Sequence, residues 1–118
     1  MSKRDLRLFV NDIKESIEAI FIYVDGISFE TFTQDRKTYS AVIREFEIIG
    51  EATKHLPENL TNTYPNIEWR DVKDFRNLLI HEYFGVDHRI VWNTIVQDLP
   101  KLKMAIEHIL IHLTKEKL

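Results

Sequence analysis

Residues 68–85 read "EWRDVKDFRNLLIHEYFG", and how this stretch folds decides the rest. Trp69, Val72, Phe75, Leu79 and Ile80 recur at helical spacing. They predict a helix from about Glu68 to Tyr83 with one apolar face, closed by Gly85. Arg76, Asn77, His81 and Tyr83 then stand as polar residues inside an otherwise apolar helical segment.

The flanking sequence supplies partners for that face. Leu6, Phe9, Ile13, Ile17, Ile20 and Val24 form a second helical stripe, with Ser2 as cap, Asp5 three residues on and Gly26 at its end. After the connection "SFETFTQD", a helix is expected from Arg36 to Leu56, its stripe made of Tyr39, Val42, Ile43, Phe46, Ile49 and Thr53. Pro57 stops it. "PENLTNTYPNI" reads as loop, with room for one short helical turn. A last helix starts at the cap Asp87 and runs through Trp92, Ile95 and Leu99. Pro100 should kink it, before Leu102, Ile106, Ile109 and Leu113 continue the stripe. No alternating pattern predicts a strand. The expected fold is all-α: an up-and-down bundle of four long helices with short extra helical turns, spanning residues 1–118 as one domain.

Composition agrees and excludes several chemistries. Apolar residues make up 44% and charged residues 30% of 118, with only three Gly and three Pro to make turns. The absence of cysteine excludes disulfides, thiolate metal sites and Cys nucleophiles. The N-terminal stretch carries charges throughout, and no apolar run approaches membrane-spanning length, so a cytoplasmic location is expected. A net charge of −3 speaks against a protein held on nucleic acid by bulk charge, but leaves room for a local basic patch and RNA as a transient substrate.

On a continuous helix, Asn77 and His81 would share one face, and Arg76 and Tyr83 another stripe. Arg76 and His81 would point about 140° apart at about 100° per residue. For the two to cooperate, the helix must end or distort nearby, or a second copy must face the first in a symmetric dimer. Histidine moves protons near neutral pH, and the planar arginine fork fits a phosphate. Together, without a carboxylate cluster, they point to phosphate chemistry that needs no metal. RNA offers such a reaction: a base takes the 2′-OH proton, the oxygen attacks phosphorus, and an acid protonates the leaving 5′-oxygen. Arg76 would stabilise the phosphorane-like transition state. By spacing alone, Arg-x4-His more often marks surface or capping residues. His81 in a last helical turn would meet the helix dipole favourably, and Tyr83 could be a core aromatic with a wet hydroxyl.

Beyond single motifs, the chain resembles the HepT-like family of HEPN domains, toxins of toxin–antitoxin pairs. "AVIREFEIIGEATKHLP" is similar to the family's Gly-Glu-Ala helix, "PNIEWRDVKDFRNLLIHEYFGVD" to its Trp…Arg-Asn…His-x-Tyr segment, and "VWNTIVQDLPKLK" to its final helix. The likeness runs nearly the whole length in the right order, which reverses the balance on the motif. It implies a HEPN-like bundle forming a homodimer, a metal-independent endoribonuclease with no cofactor. Arg76 and His81 match the catalytic pair, Asn77 the supporting polar residue, and Tyr83 the tyrosine silenced by AMPylation. The resemblance implies that a minimal nucleotidyltransferase antitoxin of the MntA kind, in a type VII pair, transfers that AMP. Asp74-Phe75 stands where many relatives have a small residue, a departure that touches the local groove rather than the pair.

Other residues carry weaker signals. His108 and His112 have a metal-compatible spacing but no evident third ligand. His55 and His88 read as helix-end or loop residues. Arg70, Lys73 and Arg89 could widen an RNA-binding surface around Arg76, although exposed charge is the default. Gly50-Glu51 reads as a close helix approach with a solvated acid, or else as support for the site. The competing function is a non-catalytic HEPN subunit that binds a nucleotide or docks the nucleotidyltransferase. The intact Arg, His and Tyr favour the nuclease, since a scaffold has no need of all three.

Overall fold

The computed structural model describes residues 1–81 and 85–116, apart from the side chains of residues 81, 115 and 116. Helix α1 covers Lys3–Val24 and starts as expected: the Ser2 hydroxyl accepts the Asp5 amide at 3.0 Å. Gly26, with φ of 76°, turns the chain after it. Val10, Ile13, Ile17 and Ile20 are fully buried, and the helix packs against α3 (Arg36–Thr53) and α8 (Leu99–Glu116). Arg7 Nη2 donates to the Leu113 carbonyl at 3.1 Å, tying the start of α1 to the end of α8.

The expected connection "SFETFTQD" contains a helix, α2 (Phe29–Gln34). Its six residues are too few to show a period. The Ser28 hydroxyl accepts the Thr31 amide, and Phe32 is fully buried beside the rings of Tyr39, His88 and Trp92. Helix α3 begins on Asp35, whose carboxylate accepts the Thr38 amide at 3.2 Å and the Thr38 hydroxyl at 2.7 Å. It ends at Thr53, three residues before the expected Leu56, because the chain must leave helical geometry ahead of Pro57. The short turn expected in the following loop is α4 (Glu58–Thr61).

The expected helix from Glu68 to Tyr83 is corrected by the structure. It is split into α5 (Trp69–Lys73) and α6 (Phe75–Leu79), with Asp74 between them at φ −108° and ψ 22°. The Asp74 carboxylate accepts from Asn77 Nδ2 at 2.7 Å, a local bond that competes with continuous helix. Ile80 is fully extended, and Ile80–His81 (β1) pairs antiparallel with Gly85–Val86 (β2), contrary to the expectation of no strand. Gly85 therefore closes no helix. Its φ of 74° sits in this pairing, and the Asp87 amide then donates to the Leu79 carbonyl at 3.1 Å.

Asp87 caps α7 (His88–Asn93) as expected, accepting the Ile90 amide at 3.1 Å. Pro100 interrupts the final helix in a specific way. Having no amide hydrogen, it cannot close an α-helical bond, and residues Thr94–Asp98 widen into a π-helical turn in which the Leu99 amide reaches the Thr94 carbonyl. Helix α8 continues directly from it, with Leu99, Leu102, Ile106 and Ile109 buried. The whole is an all-α bundle in which α1 packs against both α3 and α8 around one core. Among the described residues, no helix is long and apolar enough to cross a membrane.

Candidate active site

Two buried anchors set the outward face of α6. Phe75 packs edge-on against Phe46 of α3, with ring centroids 4.9 Å apart, and Leu79 is fully buried. Between them Arg76 and Asn77 are exposed. Gly50 explains how close this segment comes to α3. A Cβ there would lie 3.2 Å from the carbonyl oxygens of both Val72 and Lys73, so the end of α5 rests on bare α3 backbone. The close-approach reading of Gly50 therefore holds. Glu51 is exposed and pairs with Lys54 at 2.9 Å, and that hydrogen bond and charge hold its carboxyl below the usual carboxylate range.

These elements enclose an open cleft of about 390 Å³. Helix α3 forms the floor with Arg44, Glu47, Gly50 and Glu51, running to Lys54 and His55 just past its end. Phe9 and Asp12 of α1 form one wall, and Lys73, Asp74, Arg76 and Asn77 the other. Arg76 Nη1 lies 3.8 Å from Glu47 Oε2, a loose ion pair with the arginine side chain 70% exposed. Such a pair restrains the guanidinium weakly and leaves its other donors for a ligand. Cations and carboxylates alternate around the cleft, so an anion would be recognised by individual donors rather than by a uniform field.

The structure thus brings Arg76, Asn77 and Lys73 to one cleft, while Arg70 is exposed on α5 outside its lining. The backbone of His81 is in β1, two residues past the end of α6; its side chain, and Tyr83 altogether, lie outside the described residues. This settles two sequence expectations. The helix does end between Arg76 and His81, so the 140° separation of a continuous helix no longer applies. The dipole of a last helical turn is equally no explanation for His81, since α6 ends at Leu79. The expected shared stripe of Arg76 with Tyr83 and shared face of Asn77 with His81 rest on side chains outside the described residues.

Glu47, Arg44, Phe9, Asp12 and His55 were not singled out from the sequence as site residues. The signal for α3 was present: Arg44, Glu47, Glu51 and Lys54 recur at three- or four-residue spacing, a polar stripe beside the apolar one. Elsewhere, the Tyr64 hydroxyl bonds to His108 Nδ1, and burial raises the Tyr64 phenol above its usual range. The His108 and His112 rings lie 4.2 Å apart, and no group of three or more His, Cys, Asp or Glu suited to a metal occurs among the described residues.

Comparison with known proteins meets this geometry at the family level. The family model described as Ribonuclease HepT-like matches residues 13–109. A Thermococcus cleftensis protein named "Probable ribonuclease HepT" is 46% identical over 105 residues, covering 89% of this chain and 96% of its own. A Methanocaldococcus jannaschii protein named "Putative RNase MJ0127" is 40% identical over 110 residues, covering 93% of this chain and 91% of its own. No solved structure matches the chain significantly. With a match across most of its length and relatives covered almost end to end, the chain belongs to the HepT-like ribonuclease family.

Proposed function

We propose that the chain is the toxin of a type VII toxin–antitoxin pair, a metal-independent endoribonuclease acting with Arg76 and His81. The observation that carries this is the end of α6 between the two residues, with Arg76 lining a cleft beside Asn77 and Lys73. RNA would lie in the cleft with the scissile phosphate against the Arg76 fork. His81 accepts the 2′-OH proton, the freed oxygen bonds to phosphorus, and the P–O5′ bond breaks as the 5′-oxygen is protonated. The products are a 2′,3′-cyclic phosphate and a 5′-hydroxyl. A second copy of the chain in a homodimer supplies a second His81, so that one histidine serves as base and the other as acid. Arg76 stabilises the charge gained by the phosphorane. Asn77, held by Asp74, supports the turn that presents Arg76. Lys73 adds a phosphate contact in the cleft, and Arg70 an outer one.

The same segment offers the means of control. A nucleotidyltransferase antitoxin of the MntA kind directs the Tyr83 phenol oxygen onto the α-phosphorus of ATP. AMP is attached and pyrophosphate leaves. Tyr83 is two residues from His81 in the chain, about 7 Å at full extension, so the added phosphate and nucleoside crowd the reacting groups and repel RNA. An RNA substrate and an ATP-using nucleotidyltransferase partner place the proposed activity in the cytoplasm.

The mechanism is tested with an RNA carrying a single 2′-deoxynucleotide at the cleaved position. That substitution should abolish cleavage there, and the all-ribose control should yield 2′,3′-cyclic phosphate ends. Cleavage that persists at the deoxy position would rule out 2′-OH attack.

A further inference from the structure

At the α1 wall of the cleft, the rings of Phe9 and His55 are stacked face to face, with centroids 4.1 Å apart and planes 4° from parallel. We infer that His55, backed by Phe9, is a stacking platform for a nucleobase of the RNA bound in this cleft. The inference rests on the ribonuclease reading and names a subsite within it.

The platform is built from both sides. Phe9 lies in the second turn of a long helix, is half-buried and packs against the core, which restrains its ring. His55 follows α3 in a turn closed by its own amide to Ala52 at 3.1 Å and by Leu56 to Thr53 at 3.0 Å. Its ring is exposed, and Phe9 covers one face, which leaves the other for a ligand. An exposed imidazole held flat against an aromatic ring adds little to a core, yet it presents a rigid plane.

The surroundings sort a nucleotide into its parts. Phe9, Asp12, Glu51 and His55 lie toward α1 and the end of α3, while Lys73, Arg76 and Asn77 lie on the facing wall. On the platform side Glu51 is paired with Lys54, and Asp12 disfavours phosphate but not an uncharged base. On the other side Arg76 and Lys73 supply individual donors to phosphate, beside the carboxylates of Glu47 and Asp74. A volume of about 390 Å³ falls within the range of small-molecule sites. Single-stranded RNA is held in this manner, with bases on aromatic planes and backbone on cations, and stacking tolerates any base because each has a π-face. The expected ligand is an unpaired stretch of RNA, with weak preference for strongly stacking bases.

The test uses a short single-stranded 2′-O-methyl RNA, which lacks the nucleophile and is not cleaved, with 2-aminopurine placed at each position in turn. Wild-type protein should bind it and quench the fluorophore most at one position. His55→Leu should lose that quench and weaken binding about tenfold, the size of one lost base–aromatic stack. His55→Phe, which keeps the plane and removes the polar ring atoms, should restore both. Thermal unfolding checks that the exposed substitutions leave the fold intact. If His55→Leu binds and quenches like wild type while natural RNA is still cleaved in an Arg76-dependent way, the platform is refuted and the nuclease stands. If unmodified wild type neither binds the probe nor cleaves RNA, both fail.

Discussion

Arg76 and Glu47 face each other across the cleft at 3.8 Å, too far for a hydrogen bond and close enough for the carboxylate to aim the guanidinium. The pair joins α6, where the proposed catalytic segment begins, to the polar stripe of α3. Glu47 also competes with any phosphate for the same arginine. Glu47→Gln should therefore lower kcat by about two- to fivefold, the scale of an exposed ion pair, while KM stays level or falls. Steady-state cleavage of a defined RNA measures both. A rise in KM at constant kcat would mean that Glu47 serves binding and not aim.

Gly50 should resist even the smallest side chain. Alanine favours helix over glycine by about 1 kcal/mol, but its Cβ would meet two backbone carbonyls of α5 at 3.2 Å. Backbone cannot swing aside as a side chain can, and overpacking of this kind costs about 1–3 kcal/mol. Gly50→Ala should lower Tm and, by lifting α5 and α6 off α3, reduce RNA cleavage. A raised Tm would show that the segment moves freely.

Acid should weaken the start of α3 before the pH of general unfolding. Hydrogen bonds from the Thr38 hydroxyl and amide hold the Asp35 carboxyl below its ordinary value. A carboxyl lowered in the folded state contributes its full stability above the unfolded value and loses it as pH falls through the folded one. The stability difference between wild type and Asp35→Ala should be present at about pH 6 and shrink toward about pH 3 in urea titrations. Asp35→Ser, which still caps without a charge, should show little of this pH dependence.

Control and catalysis should separate at Tyr83. Tyr83→Phe removes the oxygen that would accept AMP and keeps the ring. The variant should cleave RNA like wild type within about twofold and stay active when incubated with the nucleotidyltransferase and ATP. Mass spectrometry of wild type should show one added AMP, absent from the variant.

The long amphipathic helices were legible because each repeats its period over several turns. The stripes of α1, α3 and α8, the caps Ser2 and Asp87, the interruption at Pro100 and the close approach at Gly50 all follow from local chemistry. What was hidden depends on partners elsewhere. Helix α2 is too short to show a period, and Phe32 finds its place only through Tyr39, His88 and Trp92. Leu78, Leu79 and Ile80 continue an apolar helical pattern, yet the chain turns extended at Ile80 because Val86 pairs with it. Arg76 was visible as a candidate phosphate clamp by residue type and motif. Its cleft was not, since one wall comes from α1, more than sixty residues away.

The proposed reaction is one phosphodiester cleavage performed by Arg76 and His81 without a metal. It is met most directly by RNA cleavage in EDTA, using protein shown by mass to carry no AMP, beside Arg76→Ala and His81→Ala. Cleavage should survive the chelator, leave 2′,3′-cyclic phosphate ends, and fall by at least about a hundredfold in each variant. Loss of activity in EDTA, or variants that cut as fast as wild type, would contradict it.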